Sequence, residues 1–375
     1  MAITDDTNPE FDRVEGAPHP RDTAILYGQH AAEMAFLAAV GSGRLHHAWL
    51  ITGPRGVGKA TLAWRIARFL LTWEKPELGL FGDPEPLTSL DVPPDHPVLR
   101  RMVALSEPRL KLVRRDWDDE EKKPDSVITV KRIRQLKNFF QLSAADGGRR
   151  VVIIDSADDM NPAAANALLK LLEEPPPDAV LLLISHQPSR LLPTIRSRCR
   201  DLRCATLGPD DIALALSQAE ADDAHSTELA ELAAGSVGEA IRLTNHNGLK
   251  LYADLVALMA TLPRLDRPRA LALTESASGK TNEARFDLFL RLTEIFLARL
   301  ARTGLFAPPP EAAPGEAALL ARLSPDAASS RHWAEVQQQL GTRVRHGKAV
   351  NLDPAALLLD MVLKLDQTAA QLAAR

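Results

Sequence analysis

Apolar runs without alternation mark three strands in the first half of the chain. They cover residues 48–51, 151–154 and 179–185, and such runs, with β-branched residues frequent in the second, are typical of strands buried in a parallel sheet. One helical pattern, at 29–40, precedes these runs, and three more lie between them, at 59–71, 130–142 and 161–174. The last of these helices has Asn161 as its N-cap and Pro162 at its first position, and Pro175 closes it. This alternation predicts an α/β domain with a mostly parallel sheet.

The pattern changes twice more along the chain. Residues 74–126 are rich in proline and charge and are predicted to be an insertion with one strand at 110–113. Beyond residue 207 the strand signals stop, and the rest is predicted to be helical. The predicted organisation is a flexible tail at 1–20, an α/β domain at 21–207, a small helical domain at 208–250 and a C-terminal helical domain at 251–375.

Composition and charge narrow the class of protein. Hydrophobic residues make up 45% and charged residues 25% of the 375 positions, and the net charge is −4. These are globular proportions with no general basic field for nucleic acid. Unbroken apolar runs such as 179–184 are far shorter than a membrane span, and the N-terminus lacks the pattern of a signal peptide. With two cysteines the expectation is a cytoplasmic protein with no membrane partner.

The sharpest motif is GPRGVGK at 53–59, which matches G-x-x-x-x-G-K directly after a strand and before a helix. Backbone N–H groups of such a loop bind phosphate, and its lysine reaches the terminal phosphates. The alternative is a glycine-rich turn without a ligand. The candidate nucleotide-binding residues of this stretch are Gly53, Gly56, Val57, Gly58, Lys59 and Thr61.

Two further positions bear on metal binding and hydrolysis. Ala60 stands where a Ser or Thr hydroxyl would bind Mg²⁺, and Thr61 is about 100° further round the helix. Asp155 ends the strand 151–154 and is the candidate metal contact.

Ser156 occupies the next position, where active ATPases of this type have a glutamate that polarises water. Asp158 and Asp159, three and four residues after Asp155, are the alternative carboxylates. The two departures, Ala60 and Ser156, predict weak or absent hydrolysis.

A basic segment follows the strand at 179–185. It carries Arg190, Arg196, Arg198 and Arg200, and taken alone it is typical of a solvated loop. The chain nevertheless resembles the clamp-loader branch of the AAA+ ATPases in two motifs taken together, ANALLKLLEEPP at 165–176 and Ser-Arg-Cys at 197–199. The resemblance covers about 21–205 in motifs and 206–375 only in architecture.

The resemblance implies an AAA+ phosphate-loop domain, a helical lid at 208–250 and a C-terminal collar at 251–375. It places Arg198 in the ATP site of a neighbouring subunit, where a guanidinium stabilises transition-state charge. The lid motif Gly-Ser-x-Arg here ends in Gly238, so its sensor arginine is missing. Residues 60–150 contain no cysteine, so the zinc module common in this family is not expected. The chain would bind ATP or ADP without efficient hydrolysis.

The function implied is a stator subunit that donates Arg198 during loading of a sliding clamp onto primed DNA. Its partners in the hetero-oligomer would be the motor subunits and the delta subunit, with clamp and DNA reached through the complex. The alternatives are an ATP-hydrolysing motor subunit and a nucleotide-independent assembly scaffold. Nothing in the chain resembles a polymerase active site. The helix at 283–302, apolar on more than one face, is equally compatible with burial against partner subunits and with a self-contained core.

Overall fold

The computed structural model describes residues 10, 12–74, 87–118, 120, 123–141, 148–221, 224–277, 283–350 and 352–374. The chain forms two compact units. The first comprises Met1–Glu220 and Gly235–Gly238, and the second comprises Ala221–Ala234 and Glu239–Arg375. The predicted boundary at residue 250, between a lid and a collar, stays a prediction.

The first unit is built on a five-stranded parallel sheet with the order β2-β5-β6-β1-β7. A separate antiparallel pair, β3-β4, lies within the predicted insertion. The strands are β1 (Ala48–Thr52), β2 (Leu110–Val113), β3 (Trp117–Asp118), β4 (Lys123–Pro124), β5 (Arg150–Ile154), β6 (Ala179–Ser185) and β7 (Arg200–Arg203).

Burial explains why the central strands read as continuous apolar runs. Every residue of β1 and β6 is buried, since both faces of the sheet carry helices. The helices of this unit are α1 (His30–Gly41), α2 (Lys59–Thr72), α3 (Pro97–Val103), α4 (Val130–Gln141), α5 (Pro162–Glu173), α6 (Pro193–Arg196) and α7 (Pro209–Gln218). At the start of α5 the Asn161 side chain accepts the N–H of Ala164 at 2.8 Å, as its predicted capping role requires.

Two sequence-based expectations need correction in this unit. The strand at 110–113 exists, but it pairs with β5 and so belongs to the central sheet rather than to an insertion. Residues 12–20 do not form a loose tail: His19 is 1% exposed and its ring meets the Trp64 ring edge-on at 6.2 Å. Residues 1–9 and 11 of that predicted tail lie outside the described residues.

The described residues of the second unit form helices and the turns and loops that connect them, without a strand. Its helices are α8 (Ser226–Ala233), α9 (Val237–Asn245), α10 (Gly248–Met259), α11 (Arg267–Ala277), α12 (Glu283–Thr303), α13 (Glu316–Leu323), α14 (Ala327–Ala349) and α15 (Pro354–Ala373), of which α9 begins in the first unit. Most apolar residues of α12, including Phe289 and Leu292, are buried, whereas Leu290 and Ile295 are half-buried. This extent of burial within the chain favours the self-contained core for this helix.

A buried polar cluster joins three helices of the second unit. The carboxylate of Glu316 on α13 accepts the Tyr252 hydroxyl and two N–H groups of Arg299, at 2.7 and 3.1 Å for the latter. Such a charge is stable in a core only because every oxygen is paired. Among the described residues of the chain, none of the helices combines the length and apolar character needed to cross a membrane.

Leu181 tests the sheet core. It is 0% exposed on β6, between Ala48 and Val152, and the change Leu181→Ala removes buried methyl groups and leaves a cavity. We expect a loss of about 2–5 kcal/mol in the free energy of unfolding in urea. Leu214→Ala on α7 is the control, since Leu214 is 51% exposed and the expected loss is within about 0.5 kcal/mol. Equal losses would contradict the burial of Leu181 in the sheet core.

Candidate functional site

The loop between β1 and α2 has the backbone that a phosphate cradle requires. Gly53, Gly56 and Gly58 have φ angles of +144°, +73° and +95°, which favour glycine. A Cβ atom at Gly53 would lie 2.5 Å from the Cys204 carbonyl oxygen, and one at Gly58 would lie 2.5 Å from Leu26 Cδ1. The motif therefore supplies glycine where the local packing leaves no alternative.

Lys59, the first residue of α2, is folded back into this loop. Its side chain is buried, and Nζ donates to the Gly53 carbonyl at 2.8 Å and to the Pro54 carbonyl. Burial lowers the pKa of Lys59 to about 8, against the opposing effect of charges such as Asp155. An incoming phosphate would replace the two carbonyl contacts of this ammonium group.

Asp155 follows the carboxyl end of β5 and shares the site with Lys59. Burial, together with the negative charge of Asp12, raises the pKa of Asp155 to about 6, although Lys59 acts in the opposite direction. The structure thus brings together the lysine and the aspartate that the sequence singles out.

The metal position is not built as the motif requires. Ala60 follows Lys59 on α2 and has no hydroxyl, and Thr61 is half-buried one residue further along the helix. Throughout the ranges that the structure describes, no cluster of three or more His, Cys, Asp or Glu side chains is arranged to hold a metal ion. At position 60 the loop therefore lacks the hydroxyl with which the motif would bind Mg²⁺.

The two alternative carboxylates have other partners. Asp158 accepts the Ser185 hydroxyl at 2.7 Å and the His186 N–H at 2.5 Å, so it fixes the chain where β6 ends. Asp159 lies 3.4 Å from the Arg115 guanidinium. Asp158 is therefore not free to replace the glutamate missing at Ser156, whereas Asp159 is held, among the described residues, only by this partly exposed ion pair.

Gln29 is a positioning residue that the sequence alone does not reveal. Its buried amide donates to the carbonyls of Val57 and Ala205 at 3.0 and 2.8 Å and accepts the Ala205 N–H at 3.0 Å. It joins the phosphate loop to the segment after β7. In the sequence, the Gly28-Gln29 pair before α1 is a feature shared with the clamp-loader family that the chain resembles, but it does not indicate which groups Gln29 contacts.

The Gly235–Gly238 segment lies directly against the phosphate loop. The N–H of Gly238 donates to the Gly56 carbonyl at 3.1 Å, and a Cβ at Gly56 would lie 2.3 Å from Ser236 Oγ. A Cβ at Gly238 would lie 3.1 Å from Gly56 Cα. The position where the resemblance leads one to expect an arginine is therefore closely packed on the loop.

Arg198 lies at the amino ends of the parallel strands, whereas the phosphate loop lies at their carboxyl ends. It precedes β7, whose Arg200 pairs with Trp49 near the start of β1, whereas the phosphate loop follows Thr52 at the end of β1. Three residue steps of strand at about 3.3 Å each put roughly 10 Å of strand between the two edges. Arg198 therefore cannot serve the phosphate loop of its own chain.

The guanidinium of Arg198 is about one-third exposed. It lies 3.0 Å from Glu173 Oε1 at the end of α5 and donates to the Thr194 carbonyl at 3.0 Å. An exposed ion pair of this kind contributes little to stability, so exchanging Glu173 for another anion costs little.

Both thiols of the chain are free. Cys199 is half-buried and Cys204 is buried, and burial raises their pKa values to about 12 and about 11. Thiols of this kind are inert at neutral pH, which favours a structural role for both.

Comparison with known proteins gives consistent matches. Residues 28–208 match the family model described as DNA polymerase III, delta subunit. The DNA polymerase III subunit delta' of Pseudomonas aeruginosa is 40% identical over 247 residues, which are 65% of this chain and 69% of that protein.

Two solved structures from Thermotoga maritima are also similar. A DNA polymerase III gamma subunit-related protein gives a TM-score of 0.46 at 16% identity, over 90% of this chain and 99% of that one. The RuvB Holliday junction branch migration motor gives 0.38 at 15% identity, over 76% and 79%. These TM-scores are too low to carry an argument.

The raised pKa of Asp155 predicts a pH-dependent effect of Asp155→Asn. The folded-state pKa of about 6 lies above the ordinary 3.8, so the ionised carboxylate destabilises the fold above pH 6 and this cost disappears on acidification. At pH 7.5 the variant should be more stable than the wild type by up to about 3 kcal/mol, and near pH 4 most of this difference should be lost. Urea unfolding at both pH values measures this.

Asp158→Asn is the matched control. It weakens the acceptor for Ser185 and His186, so it should destabilise the fold at pH 7.5. An Asp155→Asn variant less stable than the wild type at pH 7.5 would contradict the assigned environment of Asp155.

Proposed function

Because the chain belongs to the family of DNA polymerase III delta-prime subunits, we propose that it is the stator of a replicative clamp loader. In this role it donates Arg198 to the ATP site of a neighbouring motor subunit and does not hydrolyse ATP itself. Its complex opens a sliding clamp and places it on primed DNA.

The position of Arg198 is the observation that carries this proposal. Its guanidinium is partly exposed and pairs with the exposed Glu173 while donating to the Thr194 carbonyl and the Ser197 hydroxyl. It lies at the amino ends of the strands, opposite the phosphate loop. A guanidinium placed in this way is suited to reach an anion on another subunit. Supplied in trans, such a group is worth about 10³–10⁵ in rate at the site it completes.

The phosphate site of the chain itself supports the absence of hydrolysis. The hydroxyl after Lys59 is replaced by Ala60, Ser156 stands in place of a catalytic glutamate, and Asp158 is held by Ser185 and His186. Position 238 is a glycine packed on Gly56. Hydrolysis at this site would lack a metal ligand, a base and a sensor at once.

Nucleotide binding without turnover is part of the proposal. The N–H groups of the loop 53–58 and the ammonium of Lys59 would bind the negatively charged phosphates of ATP or ADP. The bound nucleotide would not be hydrolysed. Glycine at three positive-φ positions supports such a cradle. No zinc is proposed.

The partners follow from family membership. We propose a hetero-oligomer with the motor subunits and the delta subunit, in which the helical second unit contributes the collar, and in which clamp and primed DNA are engaged through the complex. The motor alternative is disfavoured by Ala60 and Ser156. The scaffold alternative differs from the stator only in making Arg198 dispensable.

The experiment is ATP turnover by a loader reconstituted with its motor subunits, stimulated by clamp and primed DNA. Arg198→Ala should slow turnover at least tenfold, because one ATP site loses its transition-state cation. Arg196→Ala is the matched control, since Arg196 is an exposed arginine two residues away. Lys59→Ala should leave turnover within about twofold, because no hydrolysis takes place on this chain.

Each other outcome identifies an alternative. Loss of turnover in Lys59→Ala would show that this chain hydrolyses ATP. Indifference to Arg198→Ala and Lys59→Ala alike, in a fully assembled complex, would leave the scaffold role.

A further inference from the structure

The N-terminal segment, residues 12–24, is fastened along the helix that begins at the phosphate loop. Arg68 of α2 donates to the carbonyls of Thr23, at 2.8 Å, and of Arg21, and Arg65 of α2 donates to the carbonyl of Ala24. Buried guanidinium groups that bind backbone carbonyls fix a segment more firmly than surface ion pairs do.

The other end of the segment reaches the carboxyl edge of the sheet, close to Asp155. The Asp12 carboxylate lies 2.5 Å from the guanidinium of Arg114, the residue after β2, and 3.5 Å from His19 Nε2. Although burial acts to raise it, the contacts with His19 and Arg114 lower the pKa of Asp12 to about 2. An ionised carboxylate therefore stands beside Asp155, whose own pKa it raises.

Val14 connects the segment to the phosphate loop. Its Cγ2 atom lies 3.5 Å from the position of a Cβ at Gly238, and the N–H of Gly238 is bonded to the Gly56 carbonyl. The N-terminal segment thus packs on the Gly235–Gly238 segment, which in turn packs on the phosphate loop.

We propose that the N-terminal segment restrains the nucleotide site, so that a nucleoside di- or triphosphate binds only as the segment leaves Asp155 and Gly238. The physical reasons are two. The Asp12 carboxylate adds negative charge beside Asp155 and neutralises the Arg114 guanidinium, which would otherwise attract phosphate. Val14 packs against Gly238, whose N–H is bonded to the Gly56 carbonyl. The inference rests on the proposed nucleotide site, but it does not involve Arg198.

The test is equilibrium binding of fluorescently labelled ADP to the full chain, read by anisotropy with and without Mg²⁺. The double variant Asp12→Asn/Val14→Ser should bind at least tenfold more tightly than the wild type, and Asp12→Asn alone several-fold more tightly. Asp22→Asn is the matched control, because Asp22 is an exposed aspartate of the same segment and should leave the affinity unchanged.

Hydrogen exchange provides a second readout on the unaltered chain. The amides of Ala17, Asp22 and Thr23 are bonded within the segment, to the carbonyls of Val14 and His19. Saturating ADP should increase deuterium uptake by these amides if binding displaces the segment.

Three results would overturn the inference: equal affinity of the double variant and the wild type, unchanged deuterium uptake at saturation, or no ADP binding by either folded protein. The last result would also remove nucleotide binding from the proposed function. It would leave the role of Arg198 untouched, since turnover in the reconstituted loader tests that role separately.

Discussion

The pairing of β1 between β6 and β7 is the constraint on which the rest of the first unit depends. Its register places Trp49 beside Arg200 and Thr52 beside Arg203. The chain leaving β1 therefore forms the phosphate loop at one edge, and the chain entering β7 presents Arg198 at the other. A stator needs this separation, because it offers an arginine outward while its own phosphate loop lies elsewhere.

The phosphate loop is held by protein contacts as well as shaped for a ligand. Gly53 packs on Cys204, Gly58 on Leu26 and Gly56 on Ser236, each too closely for a Cβ. Packing and the positive φ angles together therefore favour glycine here, whether or not the loop turns over nucleotide. This explains how a complete glycine pattern coexists with Ala60 and Ser156, and why the motif by itself is poor evidence for hydrolysis.

The fold class predicted from the sequence, a parallel α/β domain followed by helices, is confirmed. The three strands predicted from unbroken apolar runs, β1, β5 and β6, are buried almost throughout. The sequence also predicts strand β2, although it is an outer strand in which only Val113 is buried. Strand β7 could not be predicted, because it is an edge strand in which only Leu202 is buried. The family resemblance, rather than periodicity, singled out Arg198.

The parts that escaped sequence reasoning depend on contacts between distant positions. Gln29 is hydrogen-bonded to Ala205, 176 residues away in the sequence. Asp158, which follows β5, is hydrogen-bonded to Ser185 at the end of the neighbouring strand β6. The packing of residues 12–24 depends on guanidinium groups of α2, whose helical pattern does not indicate what they bind. Charge and turn residues near the N-terminus resemble those of a loose tail until their partners are known.

The distance from Arg198 to a neighbour's nucleotide tests the central claim most directly. It can be measured in an experimental structure of the reconstituted loader with a non-hydrolysable ATP analogue. The account predicts that the guanidinium has left Glu173 and lies at a charge-assisted hydrogen-bond distance of about 2.7–2.9 Å from the terminal phosphate of the adjacent motor subunit. An Arg198 still paired with Glu173, away from any nucleotide, would contradict it.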